Sequence, residues 1–272
     1  MPAKENQIVG LVRFSYISKG GFLHSSNPQE EQERKIFAQE RMERRFQFFE
    51  NLALRSLLQQ NDQDFSCIFL VSKSLPKEYR ERLEDLVAPL QGGIVMERPF
   101  MPQYRAIRAC YDSLRDETYK YFTSFRLDDD DMLDVGFIER IRKMLPPVAR
   151  VKNDGEPVVL AFNKGLFLEV GTKGNRIFDG CERTPLGIGT AMITPLKNSG
   201  KNIYSRNHRK LPAFFTTFSE VSTPTWIRTI HVDNDSIPEF TGTLDNHTET
   251  EINTQLTDRF GISRKELMLF KP

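Results

Sequence analysis

A strand-like segment that ends in four consecutive acids constrains this sequence more than any other feature. Tyr119–Leu127 is rich in aromatic and β-branched residues, as is typical of a strand that enters a core. The acids Asp128, Asp129, Asp130 and Asp131 follow directly. Adjacent carboxylates repel one another, and a buried strand prevents them from spreading apart. Leaving them unpaired would therefore cost stability.

Two interpretations of the acid run stay open. The first is a solvated turn after a strand, which caps the next helix. The second, which we favour, is a site for Mg²⁺ or Mn²⁺, because these ions prefer oxygen ligands and are often held by one or two carboxylates plus substrate phosphates. A calcium loop of the EF-hand type is excluded, because Met132 and Leu133 occupy its fifth position and its obligatory glycine position.

Composition is that of an ordinary soluble protein. Among 272 residues, 28% are charged and 39% hydrophobic, and the formal net charge of +1 gives no reason to expect a nucleic-acid partner. No apolar run reaches the ~18 residues of a transmembrane segment. The three cysteines are far apart and odd in number, which fits a reducing compartment. We therefore expect a cytoplasmic protein.

Strand and helix patterns alternate through the first 150 residues. The predicted strands cover 8–17, 65–71, 94–96 and 119–127, and the predicted helices cover 28–60, 77–90, 104–114 and 135–144. This alternation predicts an α/β fold with a doubly wound, mainly parallel sheet. Ligands bind such sheets at the carboxyl ends of the strands, where the acids lie. We expect a basic cluster, Arg41, Arg44 and Arg45, to form a solvated, salt-bridged helix face.

After residue 150 the pattern becomes irregular. Strands are predicted over 157–170 and 225–231, with a loop-rich, glycine-punctuated region between them. Residues 245–272 are predicted to close the fold by docking apolar side chains. We expect one continuous domain, with an α/β half over 1–150 and a substrate-shaping half over 151–272.

Several nucleotide and hydrolase motifs are absent. The sequence contains no GxxxxGK[ST], GxGxxG, GxSxG or HExxH element. An acid cluster at a strand end, without a phosphate-cradling loop, suits an enzyme that holds a nucleoside diphosphate through a metal ion.

The sequence resembles the GT-A glycosyltransferases and, more narrowly, a bacterial rhamnosyltransferase family. The broader resemblance lies in the hydrophobic-Asp-x-Asp element Leu127–Asp130. The narrower one lies in four segments: Val12–Tyr16, Arg45-Phe46, Phe125–Asp131, and Trp226–His231 with Asn234–Ser236. It implies a GT-A-like fold, in which residues 1–150 bind a nucleotide sugar and residues 151–272 bind an acceptor.

The resemblance also implies roles for individual acids. Asp128 would face the nucleotide ribose and share the metal with Asp130, and His231 would complete the metal site. An imidazole ligand would favour Mn²⁺ over Mg²⁺. A hydrogen-bonded, purely structural role for His231 stays open. Asp129 is grouped with the nucleotide-sugar residues, although strand alternation would turn it away, and Asp131 is expected to cap the turn.

Arginines are the other candidates for the donor site. Arg13 and Arg126 lie at strand positions where a solvated arginine is not expected, so each either pairs with the acids or reaches a ligand. We expect ligand contact more for Arg13 and pairing more for Arg126. Arg105 and Arg108, one turn apart, are predicted to face the same pocket. The sequence departs from the GT-A pattern in having Ser72-Lys-Ser74 where many such enzymes carry an acid that reads the base, so the base is not predicted.

An inverting glycosyltransferase also needs a base that accepts the proton of the acceptor hydroxyl. The candidates in the second half are Asp179, Glu182, His208, Glu220 and Asp233. We favour His208, because a neutral imidazole has a suitable unperturbed pKa, and Asp233, because it lies two residues from the expected metal ligand.

The leading hypothesis is a metal-dependent, inverting glycosyltransferase in polysaccharide biosynthesis. It would move a sugar, with rhamnose suggested by the resemblance alone, from a nucleotide diphosphate donor to a glycan or other hydroxyl acceptor. One alternative is a nucleotidyltransferase that uses the same acids, since a metal that bridges phosphates serves either reaction. The other is a carbohydrate-binding protein without catalytic activity on the same fold.

Overall fold

The structure, a computed structural model, describes residues 4–20, 25–152, 155–198, 200–234, 240–244 and 246–272. The strands are β1 (Lys4–Arg13), β2 (Ser66–Ser72), β3 (Gly93–Arg98), β4 (Tyr119–Asp128), β5 (Met132–Leu133), β6 (Val158–Phe162), β7 (Lys164–Glu169), β8 (Arg176–Cys181), β9 (Ala191–Pro195), β10 (Thr216–Glu220) and β11 (Trp226–Ile230). The helices are α1 (Gln29–Ile36), α2 (Gln39–Phe48), α3 (Arg55–Leu58), α4 (Lys77–Val87), α5 (Gln103–Leu114), α6 (Phe137–Val151), α7 (Glu249–Phe260) and α8 (Arg264–Leu269). A π-helical segment, Phe49–Leu54, joins α2 to α3, and short 3₁₀ helices cover Leu196–Asn198 and His208–Ala213.

The larger sheet has seven strands in the order β10-β6-β9-β4-β1-β2-β3. All neighbouring pairs are parallel except those of β9, which runs antiparallel to both β4 and β6. Strand β4 therefore ends at the same edge as β1 and β2. The predicted α/β fold with a mainly parallel sheet is confirmed.

Strand β1 is apolar from Ile8 to Val12 because helices cover both of its faces. Val9 and Leu11 pack in the cluster that contains Tyr111 of α5. Val12, on the opposite face, packs in the cluster that contains Phe46 of α2. Gly10 allows the ring of Phe125 to approach the backbone closely, since a Cβ at this position would lie 2.2 Å from that ring. Burial of both faces explains the continuous apolar run.

The smaller sheet has the order β5-β11-β7-β8. Its strand β5 begins directly after the four acids and pairs antiparallel with β11, with Leu133 opposite Trp226. Strand β4 of the larger sheet ends at Asp128. The acid run is thus the corner at which the chain passes from one sheet to the other.

Two predicted helix boundaries are wrong. The helix expected over 28–60 is interrupted at Ala38, whose ψ of 130° is extended, and becomes π-helical from Phe49. The wider turn allows the consecutive residues Phe48 and Phe49 to enter different hydrophobic clusters. Helix α6 does not stop before Pro146 but continues to Val151. Both prolines of α6 are exposed, whereas Val148 after them is buried, so core packing outweighs the lost backbone hydrogen bonds.

The second half contains more strand than the sequence predicted. The strand expected over 157–170 is divided at Asn163 into β6 and β7, which belong to different sheets. Strands β8, β9 and β10 lie in the region predicted as loop, where each is short and bounded by glycine or turn residues. Strands β6, β9 and β10 of the second half complete the larger sheet, so the sheet itself is not divided at residue 150. The assignment of donor binding to residues 1–150 and of acceptor binding to residues 151–272 stays a prediction.

The closing segment docks as predicted. Leu256, Phe260, Ile262 and Leu267 join a cluster with Phe48 and Leu52 under the smaller sheet. Within the ranges described, no helix combines the length and apolar character needed to cross a bilayer.

Candidate active site

Asp128 lies at the carboxyl edge of the larger sheet, beside two arginines. The parallel register of β1 and β4 sets Arg13 directly opposite Asp128. The Arg13 Nη2 donates to Asp128 Oδ1 at 2.7 Å, while Arg126 Nη2 is 3.9 Å from the same oxygen. Burial would raise the pKa of Asp128, but the charges of Arg13 and Arg126 together hold it below its ordinary value. Contrary to the expectation, Arg13 makes the closer ion pair.

Asp129 and Asp130 share a third arginine, Arg45 of α2. The Arg45 Nε donates to Asp129 Oδ2 at 3.2 Å, its Nη2 also bonds Asp129, and its Nη1 donates to Asp130 Oδ2 at 3.0 Å. The side chains of Arg45 and Asp130 are each only 8% exposed. The prediction of a solvated face is therefore wrong for Arg45. The overlooked signal is its spacing, because it lies three residues after Met42 and one before Phe46, both fully buried.

Burial acts differently on the individual acids. It raises the pKa of Asp129 to about 6, against the opposing charge of Arg45. The pKa of Asp130 is lowered, because Arg45 and His231 outweigh the effect of burial. Burial and the charges of Asp130 and Asp128 raise the pKa of Asp131 well above its ordinary value. Four adjacent acids therefore do not behave as one anionic patch.

Asp131 serves the smaller sheet. Its Oδ1 accepts from the backbone N–H of Thr229 on β11 at 2.9 Å. The expected role as a cap of the following turn is therefore wrong, because the side chain is recruited by a strand about a hundred residues later in the chain.

His231 follows β11 and contacts the same Asp130 oxygen as Arg45. Its Nε2 lies 2.9 Å from Asp130 Oδ2. The backbone N–H of Asp233 donates to Nδ1 at 3.2 Å, so the neutral ring carries its proton on Nε2 and donates to Asp130. The ring stacks on Phe48, with centroids 4.1 Å apart. Asn234 Nδ2 approaches the same Asp130 oxygen at 3.3 Å.

Tyr204 and His208 lie near Arg126 and Asp128. The hydroxyl of Tyr204 donates to the carbonyl of Leu11 at 3.1 Å, and its ring centroid is 4.6 Å from the Arg126 guanidinium. Burial and the charge of Arg126 lower the pKa of His208 to about 3, while Asp128 opposes this shift. The structure thus brings His208 into the field of Arg126 and Asp128. Tyr204 was not predicted.

Asp233 is held by an arginine. The Arg44 Nε and Nη2 donate to its two carboxylate oxygens at 2.6 and 3.2 Å. Although burial raises it, the hydrogen bond from Arg44 lowers the pKa of Asp233. Asp233 therefore stays ionised, but its oxygens are already engaged.

Other predicted residues lie away from these contacts. Arg105 is exposed and has no ion pair within the described residues, and Arg108 pairs with Asp112 at 3.3 Å. The remaining base candidates contact other side chains or backbone groups. Asp179 lies 2.8 Å from His247, Glu182 accepts from Thr241, and Glu220 accepts from the backbone of Ser222.

Two further segments were noted for their departure from, or resemblance to, the family pattern. Ser72 is buried and its hydroxyl accepts from the backbone N–H of Ile17 at 2.8 Å, so it supports the loop after β1. Asp235 and Ser236 lie outside the described residues.

The chemistry and spacing of Asp130 and His231 suit a divalent cation. Two ligands at right angles and about 2.1 Å from an octahedral cation lie about 3.0 Å apart, close to the 2.9 Å between Asp130 Oδ2 and His231 Nε2. In the part of the chain that the structure describes, no three His, Cys, Asp or Glu side chains form such a site. Asp128 is engaged with Arg13, and Asp130 Oδ2 also accepts from Arg45 Nη1 at 3.0 Å. A cation would also have to displace the proton on Nε2, and the Asp233 amide would have to turn away from Nδ1.

Comparison with solved structures finds distant likenesses. The structure of S. aureus TarS 1-349 in complex with UDP aligns with a TM-score of 0.45 and 10% identity over 82% of this chain and 60% of that chain. A "putative nucleotide-diphospho-sugar transferase" from Desulfovibrio desulfuricans G20 aligns with a TM-score of 0.37 and 8% identity over 86% of this chain and 83% of that chain. The chain thus spans 60% of the TarS fragment. Comparison with curated proteins finds no match.

Comparison with family models is more direct. The model described as "Putative rhamnosyl transferase" matches residues 7–243, a span that includes most of β1, the acid run and His231. The chain therefore belongs to the family with this description.

Proposed function

We propose that this protein transfers a sugar from a nucleoside diphosphate donor to a hydroxyl group of a glycan or other acceptor. The main support is that five side chains meet near one edge of the larger sheet. Arg13 and Arg126 lie beside Asp128, and His231 contacts Asp130. The family description favours rhamnose as the sugar. The proposal also includes polysaccharide biosynthesis as the setting. The proposal includes a cytoplasmic location, supported by three free cysteines.

The two sides of the site would divide the work. The guanidinium groups of Arg13 and Arg126 would donate hydrogen bonds to phosphate oxygens. Asp128 orients these two arginines before the nucleotide sugar binds, and it would face the ribose of the bound nucleotide sugar. Asp130 and His231 would hold Mn²⁺ or Mg²⁺, with donor phosphates as further ligands. When bound, such a cation neutralises charge on the departing nucleoside diphosphate. Arg45 keeps Asp129 and Asp130 in place.

We propose His208 as the base of an inverting reaction, with Asp233 as the second candidate. His208 lies in the field of Arg126 and Asp128 and is neutral at physiological pH, so its ring can accept a proton. Its lowered pKa makes it a weak base in the free protein, and a bound, anionic donor would raise that pKa. Asp233 is less suited because Arg44 occupies both of its oxygens.

A thermal-shift panel of nucleotide sugars, with and without Mn²⁺, tests the proposal. We expect a donor that raises the melting temperature mainly when Mn²⁺ is present, because ligand and cation bind the folded state together. Asp130→Asn should remove the Mn²⁺-dependent part. Asp85→Asn, at an exposed position on α4, is the matched control and should keep it. No response to any donor, or an unchanged response in Asp130→Asn, would contradict the proposal.

Product analysis then identifies the reaction. Release of free nucleoside diphosphate together with a glycosylated acceptor supports glycosyl transfer. Release of pyrophosphate from a nucleoside triphosphate and a sugar phosphate would point to nucleotidyl transfer. Donor binding without any turnover would point to a carbohydrate-binding protein.

A further inference from the structure

A basic loop lies at the edge of the candidate active site. The segment 200–215 contains Lys201, Arg206, Arg209 and Lys210 and no acid, in a chain with 38 basic and 37 acidic residues. Lys201 pairs with Glu156 at 3.1 Å. The other three cations are exposed, and none has a carboxylate partner within the described ranges. Three unpaired positive charges are therefore concentrated on one short loop.

An exposed aromatic ring lies among these charges. Phe214 is 55% exposed, although most large apolar side chains of this protein are buried. The guanidinium of Arg206 is 4.7 Å from its ring centroid. Pro212 and Ala213 beside it are also exposed. A surface of this kind suits a ligand that has both apolar faces and negative charges.

The basic loop is continuous with the site. Tyr204, near its start, contacts Leu11 and Arg126, and His208 lies between Arg206 and Arg209. Arg228 on β11 adds to the same positive field, and its Nη1 is buried without a hydrogen-bond partner in the part of the chain described. A ligand bound on the loop would therefore extend towards His208.

We infer that Arg206, Arg209, Lys210 and Phe214 bind an acceptor glycan that carries carboxylate or phosphate groups. This inference deepens the proposed function, since it names the class of acceptor. The planar guanidinium groups match carboxylate and phosphate oxygens, and the Phe214 ring offers a face to the sugar. A membrane surface suits the loop less, because only three of its cations are unpaired, fewer than the about four to eight Lys or Arg of polybasic membrane sites.

Titration calorimetry with oligosaccharides of equal length tests this inference. The probes are oligogalacturonate, a phosphorylated maltooligosaccharide and the neutral maltooligosaccharide. We expect one or both charged probes to bind, with affinity that falls as salt rises from about 0.05 to about 0.3 M. The triple variant Arg206→Gln/Arg209→Gln/Lys210→Gln should bind them about tenfold more weakly. The control Lys173→Gln/Lys265→Gln/Lys271→Gln, with the same change in charge at exposed positions, should bind like the wild type.

Three outcomes would overturn the inference. The first is that neither charged probe binds, or that the neutral probe binds equally well. The second is that both triple variants lose affinity alike. The third is that the loop variant loses only its cosedimentation with vesicles of about 30% phosphatidylglycerol, which would assign the loop to a membrane surface.

The donor panel separates this inference from the proposed function. Nucleotide-sugar binding that survives in the loop variant, while charged-glycan binding is lost, supports an acceptor surface. An equal loss of donor binding would assign the loop to the donor and overturn the inference. If no donor binds the wild type but charged glycans bind through the loop, the proposed function fails and the glycan surface stands.

Discussion

The two ends of the acid run differ in what surrounds them. Asp128 ends a strand of the larger sheet, is 29% exposed and faces Arg13, whose position is set by the neighbouring strand. Asp130 lies at the corner between the sheets, is 8% exposed and faces both Arg45 and His231. The first end is a partly exposed arginine-carboxylate pair, which the proposed donor would have to open. The second is a buried group in which charge compensation is part of the fold.

The largest effect should come from breaking the buried end. Arg45→Met should lower the free energy of unfolding by about 3–5 kcal/mol, because it leaves Asp129 and Asp130 buried without their cation. Arg44→Met is the matched control on the same helix. Its partner Asp233 is half-buried, so its loss should be about 1 kcal/mol, and urea denaturation measures both. Similar losses of unfolding free energy in the two variants would show that another group compensates the charges of Asp129 and Asp130.

An intermediate effect should distinguish the two ends by their metal dependence. Arg13→Ala should weaken donor binding about tenfold, by about 1.4 kcal/mol, both with and without Mn²⁺. His231→Ala should remove only the increment that Mn²⁺ adds, because it leaves Arg13 and Asp128 intact. Calorimetric titration of the donor at two Mn²⁺ concentrations measures this. An equal Mn²⁺ dependence in both variants would contradict the division of the site.

The smallest effect concerns His208 and pH. Its pKa is about 3 in the folded protein and about 6.5 when unfolded, so the unfolded state binds more protons between these values. The neutral ring therefore contributes stability that is fully present above pH ~6.5 and is lost as pH falls towards 3. Between pH 7 and 5 the wild type should lose about 1 kcal/mol more than His208→Asn, after allowance for its partial exposure. Parallel stability curves would contradict the lowered pKa.

Local patterns predicted much of the first half. The apolar run of β1 and the aromatic segment of β4 predicted buried parallel strands, because helices cover both faces of such strands. Strands β8, β9 and β10 were not predicted, because each has only five or six residues, and β9 and β10 pair with strands distant in sequence. The π-helical turn at Phe49 also escaped prediction, since it is required by two separate cores rather than by local propensity.

For the site, residue types were predictable and partners were not. The acids were singled out from their chemistry and His231 from the family resemblance, and the structure brings Asp130 and His231 to 2.9 Å. Arg45 was assigned to a solvated face because its sequence neighbours are charged, whereas the tertiary fold turns it towards two acids about 85 residues later in the chain.

The sequence by itself determined that four acids end a buried strand at the carboxyl edge of an α/β sheet, because hydrophobic periodicity and strand-helix alternation are local properties. Only the tertiary structure decided that these acids are unequal. Asp128 takes Arg13 through the register of β1 and β4, Asp129 and Asp130 take Arg45, and Asp131 serves β11. The physical reason is that charge compensation depends on distance in space, and the side chains that compensate this run come from both sides of it in the chain.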